Sequence, residues 1–284
     1  MKVRKAVIAA AGRGTRFLPT VKAYPKELIS ILNKPQIQYL VEEIIGAGIK
    51  DICIVHLHGN PSIKRYFTPN ADLEEYLKIN HKENLLDSLR YIWQNCTLKF
   101  IPQPRHLPYG NSSPILAAKN FIGVDPFVYL FGDDLTIEKY VGHFLSELIH
   151  DFEKNNLDGA FAIQPVPHDQ INRYGCIQFK VNSKIKNQLE KIIEKPSLDE
   201  APSDMANCGR AVVSAKIIPI LAKKQLGKGN ELWFVDALNQ LAAAGTVVAH
   251  NHLDYDAPWY TTGDAQNWLR ANLAMAKNLE IDIL

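Results

Sequence analysis

Apolar positions follow two rhythms along this chain: short unbroken runs, and longer stretches with apolar residues three and four apart. The run Ala6-Val7-Ile8-Ala9-Ala10-Ala11 breaks into Gly12-Arg13-Gly14 and predicts a central strand of a parallel sheet, buried on both faces. Gln36 to Lys50 carries Ile37, Leu40, Val41, Ile44 and Ile45 at helical spacing, with Gly46 and Gly48 near its end. Asp51 to Val55 reads as the next strand, so the first third forms a strand-helix-strand unit between parallel strands.

Residues 60 to 96 read as peripheral helices, followed by a strand over Leu98–Ile101 and a loop rich in Pro, Gly and Ser from Pro102 to Pro114. A helix over Ile115–Asn120 and a strand over Phe127–Phe131 lead to Gly132-Asp133-Asp134. The stripe Phe144, Leu145, Leu148, Ile149 and Phe152 predicts a helix over Glu138–Asn155, and Gly159–Ile163 returns as a strand. Short strands follow at Cys176–Val181, Ile192–Ile193 and Gly209–Val213, then helices over Ala215–Lys224 and Leu232–Ala244, a strand at Val247–Ala249 and a helix over Asp264–Asn278. No linker or repeat interrupts the alternation. It predicts one α/β unit with a Rossmann-like mixed, mainly parallel sheet flanked by helices, its ligands at the carboxyl ends of the strands.

Composition narrows the function classes. With 32 basic and 30 acidic residues the net charge is +2, which favours neither a nucleic-acid partner nor a membrane surface. No run approaches the roughly 20 apolar residues of a spanning helix. Met1-Lys2-Val3-Arg4-Lys5 has the charge of a signal peptide, but the apolar stretch after it is too short. Cys53, Cys96, Cys176 and Cys208 are scattered without a Cys-x-x-Cys pair, which points to reduced thiols in a cytoplasmic protein. His143 and His150 read as helix residues rather than metal ligands. Any phosphate binding therefore rests on a few placed residues.

Three stretches can supply them. Gly12 and Gly14 lack a Cβ, so the backbone at the end of the first strand can take positive φ and approach a nucleotide. Arg16 offers a planar fork for phosphate oxygens and Lys26 a point charge. Phe17 stands where a dinucleotide fingerprint has its third glycine, and no Gly-Lys-Ser/Thr follows as in a P-loop. Asp133 places a carboxylate at the end of another strand, where one carboxylate, substrate phosphates and waters suffice for Mg²⁺; Asp134 is a second candidate. Glu194-Lys195-Pro196 sets two charges at a chain turn. Taken singly, each stretch also reads as an ordinary turn or a solvated ion pair.

Taken together, Gly12-Arg13-Gly14-Thr15-Arg16 followed by Pro25-Lys26, Gly132-Asp133, Tyr174-Gly175 and Glu194-Lys195-Pro196 resemble the sugar-nucleotide pyrophosphorylases over nearly the whole chain. The resemblance implies the nucleotide-diphospho-sugar transferase fold as a single nucleotidyltransferase domain over residues 1–284. Residues 1–165 would mainly bind nucleotide, and 166–284 would form a sugar-binding lobe. It implies Mg²⁺-dependent transfer from UTP to glucose 1-phosphate, giving UDP-glucose and pyrophosphate, by a homo-oligomer. Ala10, Ala11, Gly12, Gly14 and Thr15 would then hold the nucleotide, and Gln103 with Gly110 the uracil. Arg16, Lys26, Asp133 and Lys195 would be catalytic, with Asp133 on the metal; Gly175, Glu194 and Lys195 would meet the sugar.

Two departures keep alternatives open. The stretch Gly110-Asn111-Ser112-Ser113-Pro114 lacks the family's second glycine, and Thr261 stands where the family has a further carboxylate. Another base or sugar, or a non-catalytic nucleotide-sugar binder, accommodates both changes. A nicotinamide dehydrogenase requires the missing third glycine.

Overall fold

The computed structural model describes residues 2–281; Met1 and residues 282–284 of the expected unit lie outside them. Strand β1 (Lys5–Ala10) leads through the glycine loop to the paired short strands β2 (Ser30–Ile31) and β3 (Lys34–Pro35), then to α1 (Gln36–Gly46) and β4 (Asp51–His56). Helices α2 (Ser62–Phe67), α3 (Ala71–Ile79) and α4 (Asp87–Asn95) precede β5 (Thr97–Pro102). Next come α5 (Ser113–Ala117), α6 (Lys119–Ile122), β6 (Phe127–Phe131), β7 (Asp134–Thr136), α7 (His143–Lys154) and β8 (Gly159–Pro165). The remainder runs β9 (Gly175–Phe179), β10 (Leu189–Glu194), β11 (Met205–Val213), α8 (Ile217–Ala222), α9 (Phe234–Ala244), β12 (Val247–Asn251), β13 (Trp259–Thr261) and α10 (Ala265–Asn278).

Nine strands form the main sheet, in the order β10-β9-β11-β6-β1-β4-β5, with β8 paired to β11 and β12 to β8. β1, β4, β5 and β6 run parallel, whereas β11 is antiparallel to β6 and β8. The predicted mixed, mainly parallel sheet is thus present, and its second half carries the antiparallel pairs. β1 lies between β4 and β6, so the chain departs to both sides of it, the place where open α/β sheets bind ligands.

The two-residue period of β1 explains how it is covered. Ala6, Ile8 and Ala10 enter one core with Ile37, Leu40 and Ile44 of α1 and Phe144 and Leu148 of α7. Val7 enters the other, with Ile115, Ile217, Phe234 and Leu238. Arg210 of β11 is 1% exposed and is gripped by Glu43 of α1, Nε and Nη2 donating to the two carboxylate oxygens at 2.7 Å each. Nη2 also donates to the backbone oxygen of Asp134 at 3.1 Å. A buried, bidentate pair of this kind leaves little free charge, but losing one partner strands the other away from water.

Boundaries moved where a side chain stops an element. α7 begins at His143 rather than Glu138, because the Glu138 carboxylate accepts from the amides of Gly142 (2.5 Å) and Phe144 (2.9 Å) and closes a loop. β10 and β11 are longer than predicted: β10 carries the exposed polar pair Glu190-Lys191 inside it, and β11 begins with Met205-Ala206-Asn207, where Asn207 breaks the apolar run. Strands β7 and β13 were not predicted; three residues carry too little periodicity to register. Among the described residues, no helix is long and apolar enough to cross a membrane. His143 and His150 are exposed on α7; Cys53, Cys176 and Cys208 are buried and Cys96 half-buried.

Candidate active site

β1 and β6 pair in register to Ala9 and Phe131, and the Gly132 amide donates to the Ala9 carbonyl at 2.9 Å. The glycine loop and Asp133 therefore leave the same sheet edge side by side. The chain then circles back through Pro25 and delivers Lys26, whose Nζ donates to Asp133 Oδ2 at 2.5 Å. Burial, the largest single influence, lowers the Lys26 pKa, but the Asp133 charge, the Glu27 charge and the hydrogen bond to Asp133 together outweigh it and hold it above the ordinary lysine value. Burial likewise works to raise Asp133, while the Lys26 charge and hydrogen bond, with Arg16 behind them, bring it below the usual carboxylate range. Two opposite charges thus stay ionised at the floor of the site.

Glu27 sits directly behind this pair, 1% exposed, and its carboxylate oxygens have no hydrogen-bond partner among the described residues. Burial pushes its pKa up to about 7. Asp134 points into the protein and is pushed up to about 8 by burial and by the adjoining Asp133 charge. It suits an ion less well than Asp133 does. From the far end of the chain, β13 pairs Thr261 with Asp134, and Thr262 donates its amide to the Asp133 carbonyl (2.8 Å) while its one hydroxyl proton lies between that carbonyl (2.9 Å) and Gln36 Oε1 (2.5 Å). Thr261 therefore lines the cleft without a carboxylate.

These groups open on a cleft of about 510 Å³. On one side, Gln103 follows β5, its amide tied to the His56 carbonyl at 2.8 Å. Gly110 has φ +139°, and a Cβ there would lie 2.3 Å from the Leu232 carbonyl oxygen, so the position accepts glycine alone. Asn111, which replaces part of the expected glycine motif, accepts from the Phe234 amide at 2.7 Å and thereby fastens the loop to α9. The opposite wall is made by Gly175 at the start of β9 and by Glu194 and Lys195 at the end of β10, which pair antiparallel with Gly175 beside Glu194. Burial raises the Glu194 pKa against the opposing pull of Lys195, 3.6 Å away.

Of the residues singled out from sequence, Ala11, Gly12, Arg16, Lys26, Gln103, Gly110, Asp133, Gly175, Glu194 and Lys195 line this one cleft. Ala10, Gly14 and Thr15 lie outside its lining. Ala10 is buried in β1, Gly14 turns the loop at φ +61° against Lys26, and Thr15 begins the next turn with an exposed side chain. Sequence reasoning passed over Glu27, Arg173, Trp233 and Asp264, which also line the cleft. Asp264 caps α10 and holds two arginines at the mouth, Arg173 at 2.9 Å and Arg16 at 4.0 Å. Arg173 stands next to the Tyr174-Gly175 motif, the one signal by which it could have been found.

A central parallel strand opening into a glycine loop, with a lysine–carboxylate pair at its lip and a polar recess opposite, is the arrangement of enzymes that move nucleotidyl groups. A family model for nucleotidyl transferases matches residues 5–278, and the chain belongs to that family. Within it, the chain is 36% identical over 275 residues to the UTP–glucose-1-phosphate uridylyltransferase of Bacillus subtilis (strain 168), covering 97% of this chain and 91% of the relative. The enzyme of the same name from Streptococcus pneumoniae is 38% identical over 279 residues, with the same coverage. The crystal structure of an apo UDP-glucose pyrophosphorylase superposes with a TM-score of 0.88 at 31% identity, over 98% of this chain and 99% of that one.

Proposed function

We propose that this chain joins UTP to glucose 1-phosphate, releasing pyrophosphate and forming UDP-glucose. The observation that carries the reading is the single cleft in which the Lys26–Asp133 pair lies between the glycine loop and Glu194-Lys195. Relatives that carry this activity in their names, matched end to end, support it.

A phosphate oxygen of glucose 1-phosphate attacks the α-phosphorus of UTP, and the bond to the leaving pyrophosphate breaks. The attacking oxygen is already ionised, so no general base is required. Catalysis then rests on alignment and on neutralising the charge of two anionic reactants. Ala11 and Gly12 let the nucleotide lie against the backbone, Gln103 and Gly110 bound the base, and Arg16 and Lys26 face the triphosphate. Lys195 draws in the sugar phosphate while Glu194 accepts hydrogen bonds from glucose hydroxyls.

Asp133 is the residue suited to a divalent cation, and Mg²⁺ fits its hard oxygen donor at the cleft floor. Among the described residues no three His, Cys, Asp or Glu side chains gather into a metal site. Asp133 would hold such a cation together with substrate phosphates and water. When bound it supplies charge neutralisation on the phosphates.

The test is pyrophosphate release by purified protein with UTP, glucose 1-phosphate and Mg²⁺, beside dTTP, other sugar phosphates and a chelator. Release with UTP and glucose 1-phosphate, abolished by chelation, is expected. Faster release with another base or sugar would replace the substrate assignment, and none with any pair would replace the enzyme reading with a binding one.

A further inference from the structure

The sugar side of the cleft contains a closed circuit of three residues that no motif describes. Lys195 has φ +47°, in the left-handed region that residues with a side chain rarely occupy. Its own amide donates to the Tyr174 carbonyl at 3.0 Å. Its carbonyl accepts from Lys228 Nζ at 2.7 Å. The carbonyl of Lys228 accepts in turn from the indole Nε1 of Trp233 at 2.8 Å. The circuit closes where Lys195 Nζ stands over the Trp233 ring, 4.4 Å from its centroid.

Trp233 is fixed before any substrate arrives. It immediately precedes α9, and Gly227 crosses it so closely that a Cβ there would lie 3.0 Å from indole Cδ1. The next residue toward the N-terminus, Leu232, donates its amide to the Tyr109 carbonyl at 2.8 Å and accepts from the Ser112 amide at 3.1 Å. The segment 227–233 is therefore anchored to the loop around Gly110. The indole face is then a rigid platform, whereas a lysine stem left alone samples many rotamers.

We propose that Trp233 is a positioning residue. Its ring holds the Lys195 ammonium at the sugar side of the cleft, in place to receive the phosphate of the sugar-phosphate substrate, while Lys228 holds the strained backbone beneath it. The inference rests on the proposed reaction, since it assigns the phosphate that Lys195 meets. Glu194, at 3.6 Å, also attracts the ammonium but leaves its direction free; the ring supplies the direction. Cation–π contacts at partly exposed sites change equilibria by a factor of about two to five.

The test compares Trp233→Leu, which removes the ring face, with Trp233→Phe, which keeps a smaller aromatic face and loses the indole N–H. Trp233→Leu should raise KM for glucose 1-phosphate about three- to fivefold and leave KM for UTP within twofold, with Trp233→Phe between it and the parent. In the Lys195→Met background, Trp233→Leu should add nothing. An unchanged KM for glucose 1-phosphate, equal losses for both substrates, or additive losses in the double variant would each overturn the proposal. If Trp233→Leu does not fold, Trp233→Gln, a donor without a ring, carries the same comparison. A parent protein inactive with UTP and glucose 1-phosphate refutes the proposed reaction; an active parent indifferent to Trp233 refutes only this inference.

Discussion

The two walls of the cleft are built differently. The wall proposed for the nucleotide is chiefly backbone: the ends of β1 and β6, adjacent in the sheet, present the glycine loop and Asp133 from a core buried on both faces. The wall proposed for the sugar is chiefly side chains, brought from residues 173–175, 194–195 and 227–233 on antiparallel strands and loops. A backbone wall is specified by a contiguous stretch and moves only if the sheet moves. A side-chain wall is assembled by pairwise contacts and can change one residue at a time. Under the proposed function, specificity for the sugar should be easier to alter than the handling of the triphosphate.

The foundation common to both walls should give the largest effect. Arg210→Met leaves Glu43 buried without its partner and should cost about 3–5 kcal/mol of stability, read as a lowered denaturant midpoint. Both substrates should suffer together, and a loss confined to one would break the contrast. Lys26→Ala should lower turnover about 100- to 1,000-fold with substrate binding nearly unchanged, as for other preorganised charge stabilisers. Near-normal turnover would remove Lys26 from the proposed chemistry.

Gly110→Ala forces a Cβ against the Leu232 backbone at φ +139°. It should raise KM for UTP about tenfold, at the 1–3 kcal/mol scale of backbone strain, and it also tests whether strain crosses to Trp233. The smallest effect lies away from both walls. His252 is fully buried against Phe144, and burial, with the Arg210 charge adding to it, holds its pKa well below the ordinary value. Its unfolded form takes up a proton below about pH 6.5 while the native form does not, so stability falls as pH drops through that range. Replacing His252 with Leu should flatten that slope in pH-dependent unfolding and leave both KM values alone.

The same contrast explains what could be read before folding. The β1 run, its glycines, Lys26 and Asp133 are visible because each sits where an apolar strand ends, and a strand end is a local property. Glu194 and Lys195 stood out only through the resemblance, since alone they look like a surface pair. Trp233 was absorbed into a predicted helix starting at Leu232; the actual helix starts at Phe234, and the freed indole turns to the Lys228 carbonyl. Nothing local distinguishes a core tryptophan from one that holds a lysine across 38 residues of sequence. The Glu138 loop was missed for the reverse reason: its apolar stripe is helical, but the carboxylate caps amides instead of joining the helix.

The hydrogen bonding of Thr262 to the Asp133 carbonyl has a consequence for synthesis on the ribosome. The ribosome must add 129 more residues after Asp133 before its clasp exists, on the order of ten seconds at usual elongation rates. By then every strand of the main sheet has been translated, since β12 ends at Asn251. A chain that stops between Asn251 and Thr262 contains every strand of the main sheet and still lacks this clasp on Asp133.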